Sequence, residues 1–347
     1  MSSTVANPPK RVARALIRSL HTGTSVLEGV KYLHVGHSAW LNAQAELLDE
    51  LAEDADSDVV FVRGSYGAGK THFLACVQDR ALDANWATAH LECRRDQVQL
   101  DRLETVYARV LYKLRSKEML DDAARSGQDL GSFDGARWFL TRWANEVLKK
   151  AGFVNGPIRR TMEVDERLCG ILERGLMKSN LPEDFKRALF AFSRAFLLNQ
   201  DAVCSAIIAW LKGSDERVFL PRSMLQAARR ADIVPSGSKS ERLMALNPIG
   251  RATSTEYLRA IVWLIRATGH LGLVLCIDEV EECAKLSPKK RQDQPFQTLR
   301  EFIDNSDGEL GLRHLCTYFA ATPEMFEGEH YFRRYDALAT RIEPVGD

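Results

Sequence analysis

Between the apolar run Val59-Val60-Phe61-Val62 and a periodic segment through Phe73, Leu74 and Val77 stand Gly64-Ser65-Tyr66-Gly67-Ala68-Gly69-Lys70-Thr71. This stretch fits G-x-x-x-x-G-K-[ST], the phosphate-binding loop of nucleoside triphosphatases, in the strand-loop-helix context that the mechanism demands. Glycines at 64, 67 and 69 let the backbone wrap an anion, so that successive N–H groups and the positive end of the following helix can face phosphate oxygens. Lys70 is then the candidate for the β- and γ-phosphates, and the Thr71 hydroxyl for Mg²⁺. The candidate nucleotide contacts run from Gly64 through Thr71 to His72.

Such a loop implies a parallel sheet, and 347 residues with 45% hydrophobic content supply the core for one large domain or two. The 47 basic residues balance the 47 acidic ones, so no global field recruits nucleic acid or an anionic membrane; DNA contact would need a local patch. The seven cysteines (76, 93, 169, 204, 276, 283 and 316) are scattered and form no C-x-x-C pair. They read as reduced thiols rather than a disulfide framework. The eight histidines lack H-E-x-x-H-type spacing, so no structural metal site is expected. With no apolar h-region at the N-terminus and no run of membrane-spanning length, a soluble, cytoplasmic protein is expected.

Residues 1 to about 10 are polar with Pro8-Pro9 and are expected to be disordered. Helical periodicity marks Arg11 to Leu20, Trp40 to Leu51 and Leu103 to Leu114, and alternation with aromatic and β-branched residues marks a strand over Trp86 to Cys93. Tyr32 to His37, including Val35 and Gly36, reads equally as a packed turn or as a cover for an adenine ring. From about 117 to 231 the pattern is helical throughout, which predicts an all-helical insertion separating 11–116 from 232–347 in one nucleotide-binding core. Residues 232 to 253 are rich in turn formers and predict a returning loop.

Leu271 to Glu279 is a continuous apolar run of buried-strand type that ends on two acids. In a phosphate-loop enzyme Asp278 would hold Mg²⁺, mostly through water, and Glu279 would polarise the attacking water. A further apolar strand, His314 to Ala320, runs into Ala321-Thr322-Pro323; Thr322 is either a γ-phosphate sensor or a strand-ending threonine before proline. Arg333, Arg334 and Arg341 are candidates for an arginine finger acting in trans. Basic groups at Arg159-Arg160, Arg229-Arg230 and Lys289-Lys290-Arg291 offer local charge without a nucleic-acid recognition motif.

Several phrases beyond the phosphate loop resemble the BREX-type ATP-binding family of bacterial phage-defence operons. They are Gly269-His270-Leu271-Gly272 leading into Ile277-Asp278-Glu279-Val280-Glu281, then 299–305 (L-R-E-F-I-D-N), 320–326 (A-A-T-P-E-M-F) and 335–342 (Y-D-A-L-A-T-R-I), with Val35-Gly36-His37 and 98–107 earlier. The resemblance implies an AAA+-like ATPase core acting with helicases or other defence components, and it favours Arg341 as the finger. The family usually has Arg where His37 stands, and its members continue past the position of Asp347 into a helical lid, whose absence would weaken adenine enclosure.

The resulting expectation is a three-layer α/β phosphate-loop core, AAA+-like, with a large all-helical insertion and strands near 58–63, 87–93, 272–278 and 314–320 plus others that the sequence does not place. Its expected function is Mg-dependent ATP hydrolysis that remodels a nucleic-acid or protein assembly in anti-phage defence, in a chain that can form homo-oligomers. The alternative is a slow-turnover, ATP-gated switch or scaffold that signals to a separate effector.

Overall fold

Strands form where the four apolar runs stand. A computed structural model describes residues 7–22, 29–94, 98–127, 133–153, 167–168, 170–171, 176, 179–221, 245–286, 294–306, 311–327 and 331–334. In it Ser57–Arg63 (β1), Ala87–Glu92 (β2), Leu273–Asp278 (β5) and Leu315–Ala321 (β6) build one sheet in the order β1-β6-β5-β2. Every pairing is parallel, as strands separated by helices require.

β5 and β6 are buried along their whole length, which is why their sequences are continuously apolar rather than alternating. The pleat still sorts side chains to two faces. Cys316, Tyr318 and Ala320 join Val274, Cys276, Trp86 and the apolar sides of two helices, Ser38–Asp54 (α2) and Lys70–Asp83 (α3), in one cluster. On the opposite face Phe319 stacks on Phe61 at 5.6 Å, and Phe302 meets Phe319 edge-on at 5.8 Å. Phe302 belongs to Gln294–Ser306 (α11), and Phe61 also meets Phe326 and Phe332 edge-on. The free edge of β2 is closed by a single antiparallel bridge, in which Thr88 and Arg115 exchange backbone hydrogen bonds of 2.9 and 2.8 Å. Gly272 enters β5 where only glycine fits, since a Cβ there would stand 2.3 Å from the His314 carbonyl oxygen and 2.4 Å from the Trp86 ring.

The remaining helices are Lys10–Thr22 (α1), Leu103–Lys113 (α4), Lys117–Ser126 (α5), Gly135–Lys150 (α6), Glu183–Leu197 (α7), Asp201–Leu211 (α8), Ser254–Ala267 (α9), Val280–Leu286 (α10) and Pro323–Glu327 (α12). The chain divides into two compact units. One takes Met1–Arg102, Lys113–Ser126 and His270–Asp347, and contains the parallel sheet; the other takes Leu103–Tyr112 and Gly127–Gly269.

Within the second unit Tyr257 sits among aromatic neighbours, with Trp210 at 5.7 Å, Tyr107 at 6.2 Å and Phe185 at 6.3 Å. The polar tips of two of these are satisfied, Tyr107 Oη donating to the Leu211 carbonyl (2.8 Å) and Trp210 Nε1 to that of Asn247 (2.7 Å). One expectation is corrected here: the stretch to 231 is not helical throughout. Val218–Phe219 (β3) pairs antiparallel with Ala245–Leu246 (β4), the latter in the expected return loop. Strands of two residues are too short to display alternation.

Candidate nucleotide-binding site

Three elements end side by side at the carboxyl edge of the sheet, where open α/β sheets bind ligands. β1 delivers the glycine-rich loop, and the Gly64 amide ties its first residue to the Ala321 carbonyl at the end of β6 (3.2 Å). Gly67 and Gly69 take φ of 77° and 89°, left-handed values at which a Cβ would be strained. Their turn leads directly into α3, whose first intrahelical bond runs from the Phe73 amide to the Gly69 carbonyl (2.8 Å). The Lys70 ammonium folds back across the loop, donating to the Gly64 carbonyl at 2.8 Å and to that of Ser65 at 3.2 Å, with the exposed Tyr66 ring 5.5 Å away.

β5 brings Asp278 to the same place. It is buried, and both of its carboxylate oxygens are engaged: the Thr71 hydroxyl donates to Oδ2 at 2.5 Å and the Glu279 amide to Oδ1 at 2.8 Å. A threonine hydroxyl whose proton points at a carboxylate keeps its lone pairs free. A hydroxyl and a carboxylate so paired form the hard oxygen set that suits Mg²⁺, which retains most of its waters.

His90 of β2 lies behind them, its Nε2 4.0 Å from Asp278 Oδ2 and its Nδ1 2.8 Å from Gln78 Nε2. Burial lowers the His90 pKa, against the pull of Asp278. Because β6 lies between β1 and β5, Thr322 emerges between the loop and Asp278; its amide donates to Glu281 Oε2 at 3.3 Å. Glu281 is itself buried, and its Oε1 has no partner among the described residues.

Glu279 turns the chain away from the strand with φ of 56°, a left-handed value uncommon for a non-glycine residue. Its carboxylate is partly exposed and meets Arg94 Nε at 3.6 Å, while Arg94 Nη2 binds Glu92 Oε2 at 2.8 Å. Burial raises the Glu279 pKa and Arg94 opposes that rise.

With this geometry in place, residues 9–345 match the family described as "BREX system ATP-binding protein BrxC/D". The chain belongs to that family. No curated protein and no solved structure matches it. The family resemblance drawn from separate phrases thus extends over nearly the whole chain. Among the described residues no helix is long and apolar enough to cross a membrane.

Other candidate residues fall in different surroundings. Val35 is 90% exposed, and Gly36 (φ 86°) leads to His37, which opens α2 at φ 50° with its ring 5.7 Å from that of Trp40. His72 directs Nε2 to His34 Nδ1 (3.3 Å) and to Cys76 Sγ (3.7 Å). Burial, then His34, lowers the His72 pKa, and burial pushes the Cys76 thiol up to about 11. Arg333 is exposed in a short 3₁₀ turn, Phe332–Arg334. Arg341 and all three basic groups singled out in the sequence lie outside the described residues.

Sequence reasoning missed Arg94, His90 and Glu281. Register supplies the signal for His90, because β2 pairs with β5 so that Glu92 stands opposite Asp278 and His90 opposite Cys276. Pairing cannot be read from one strand alone.

Proposed function

We propose that this chain binds Mg-ATP on the loop 64–71 and hydrolyses it. The observation that carries the reading is the hydrogen bond between Thr71 and Asp278, residues 207 positions apart whose side chains meet at 2.5 Å. Lys70 exchanges its two carbonyl contacts for β- and γ-phosphate oxygens, and the loop amides with the start of α3 hold the remaining charge. Thr71 and Asp278 hold Mg²⁺, which neutralises negative charge on the phosphates. Glu279 orients a water and accepts its proton, while Thr322 senses the γ-phosphate. Catalysis of this kind is positional and electrostatic.

Around this core we assign Val35 and Gly36 to the adenine side and Arg341 to a neighbouring copy's site, which makes homo-oligomers the working assembly. The second unit, Leu103–Tyr112 with Gly127–Gly269, is a mainly helical insertion within an AAA+-like core, and the energy of hydrolysis remodels a nucleic-acid or protein assembly in phage defence. Its partners are other defence components, a helicase or an effector, met in the cytoplasm, with DNA touched through a local patch. The engagement of Glu279 by Arg94 favours the slow-turnover switch as a second reading, because an occupied carboxylate must be released before it can take a proton from water.

The test is Glu279→Gln. Equilibrium binding of ATP with Mg²⁺ should be retained, and turnover should fall by about 10²- to 10⁴-fold, the usual contribution of a general base. Turnover at the wild-type rate would remove Glu279 from that role. Steady-state rates with and without duplex DNA separate the readings, since DNA stimulation supports the remodeller and unstimulated turnover slower than about one per hour supports the switch.

A further inference from the structure

His34 follows the short 3₁₀ turn Val30–Tyr32, whereas His72 and Cys76 sit four residues apart on α3 and so share one side of that helix. Their side chains converge: His34 Nδ1 lies 3.3 Å from His72 Nε2 and 3.4 Å from Cys76 Sγ, and His72 Nε2 lies 3.7 Å from the same sulfur. Cys76 is buried and both imidazoles are half-buried. From these contacts we propose that His34, His72 and Cys76 form a binding site for a zinc-class divalent cation, separate from the magnesium position at Thr71 and Asp278.

The argument rests on the size of the triangle. A tetrahedral Zn²⁺ with nitrogens at about 2.0–2.1 Å and sulfur at about 2.3 Å sets its ligands about 3.4 Å apart for two nitrogens and about 3.6 Å for nitrogen and sulfur. The three observed edges fall within a few tenths of an ångström of those values, the spacing that a shared ion requires, although the two imidazole rings now stand stacked at 5.5 Å and would turn their lone pairs onto it. Two imidazoles and a thiolate form a borderline-soft set that selects zinc or its neighbours over Mg²⁺ or Ca²⁺, which prefer oxygen. Three protein donors leave a fourth position for water. The second sequence segment matters here too, because the ion would fasten the chain around His34, next to Val35 and Gly36, to the first turn of the phosphate-loop helix. Sequence spacing hid the cluster, as only two of its three members share an element.

Co²⁺ is the probe, because a thiolate bound to it gives a near-ultraviolet charge-transfer band and tetrahedral ligation intensifies its visible bands. Metal-stripped full-length protein titrated with Co²⁺ should develop both, saturating at one ion per chain, and Zn²⁺ should displace it. Cys76→Ser should lose the charge-transfer band, and His34→Gln should weaken Co²⁺ binding by at least about tenfold. Circular dichroism checks that each variant is folded; should Cys76→Ser fail that check, His34→Gln decides alone. Absence of the band in folded wild-type protein would overturn the proposal, as would the same band and affinity in the variants. Mg-ATP binding by the same metal-stripped protein is read separately, so a failed cobalt titration leaves the phosphate-loop reading standing, and the reverse holds as well.

Discussion

At the scale of single residues, the site is a set of charges whose protonation is governed by burial. Arg94 restrains the raised pKa of Glu279, so Arg94→Ala should raise it further and move the acidic limb of the pH–rate profile to higher pH. Rates measured across that limb check this, and an unmoved limb would detach Arg94 from Glu279. His90 has a folded-state pKa lowered by burial. The unfolded chain, with an ordinary value of about 6.5, therefore takes up the proton first as pH falls. Its contribution is fully present above that value and lost below it, with His72 adding an effect of the same sign. Urea midpoints between about pH 7 and pH 5 should accordingly fall less steeply in His90→Gln than in wild type. Lys70, Thr71 and Asp278 could be named from sequence because a phosphate loop fixes their spacing and an apolar strand ending in acids is uncommon. Arg94 and His34 could not, since each acquires its role from a neighbour distant in the chain.

At the scale of elements, close fit replaces charge as the deciding quantity. Gly272→Ala drives a methyl group toward the His314 carbonyl oxygen and the Trp86 ring. Because one of these is backbone at the entry to the neighbouring strand, it should cost about 1–3 kcal/mol, as overpacking of a core does. Equilibrium unfolding in urea measures the loss, and a variant as stable as wild type would mean that the strand entry relaxes freely. The central strands β5 and β6 lay open to sequence reading because strands buried on both faces must be apolar throughout. Strand order, by contrast, is set by which crossover packs where, and no single segment encodes it. The two-residue pair β3 and β4 escaped for the different reason that it carries no periodic signal.

At the scale of the whole molecule, the nucleotide site should report on folding of the unit that holds it. A ligand present at 100 times its dissociation constant stabilises the folded state by about 2.7 kcal/mol. Saturating Mg-ATP should therefore raise the melting temperature of that unit, chelation of the Mg²⁺ should remove much of the shift, and Lys70→Ala should abolish it. Differential scanning fluorimetry with a slowly hydrolysed ATP analogue distinguishes binding from turnover. A shift undiminished in Lys70→Ala would place the nucleotide elsewhere.

β6 pairs with both β1 and β5 along nearly its full length, so a single strand acts as the spacer between the glycine-rich turn and the acid that faces it. The gap across which a triphosphate must fit is therefore set by two adjacent ladders of backbone bonds rather than by the long covalent path between those residues. Insertions along that path can lengthen or diverge without retuning the gap, whereas a one-residue slip of the spacer would misalign both banks at once.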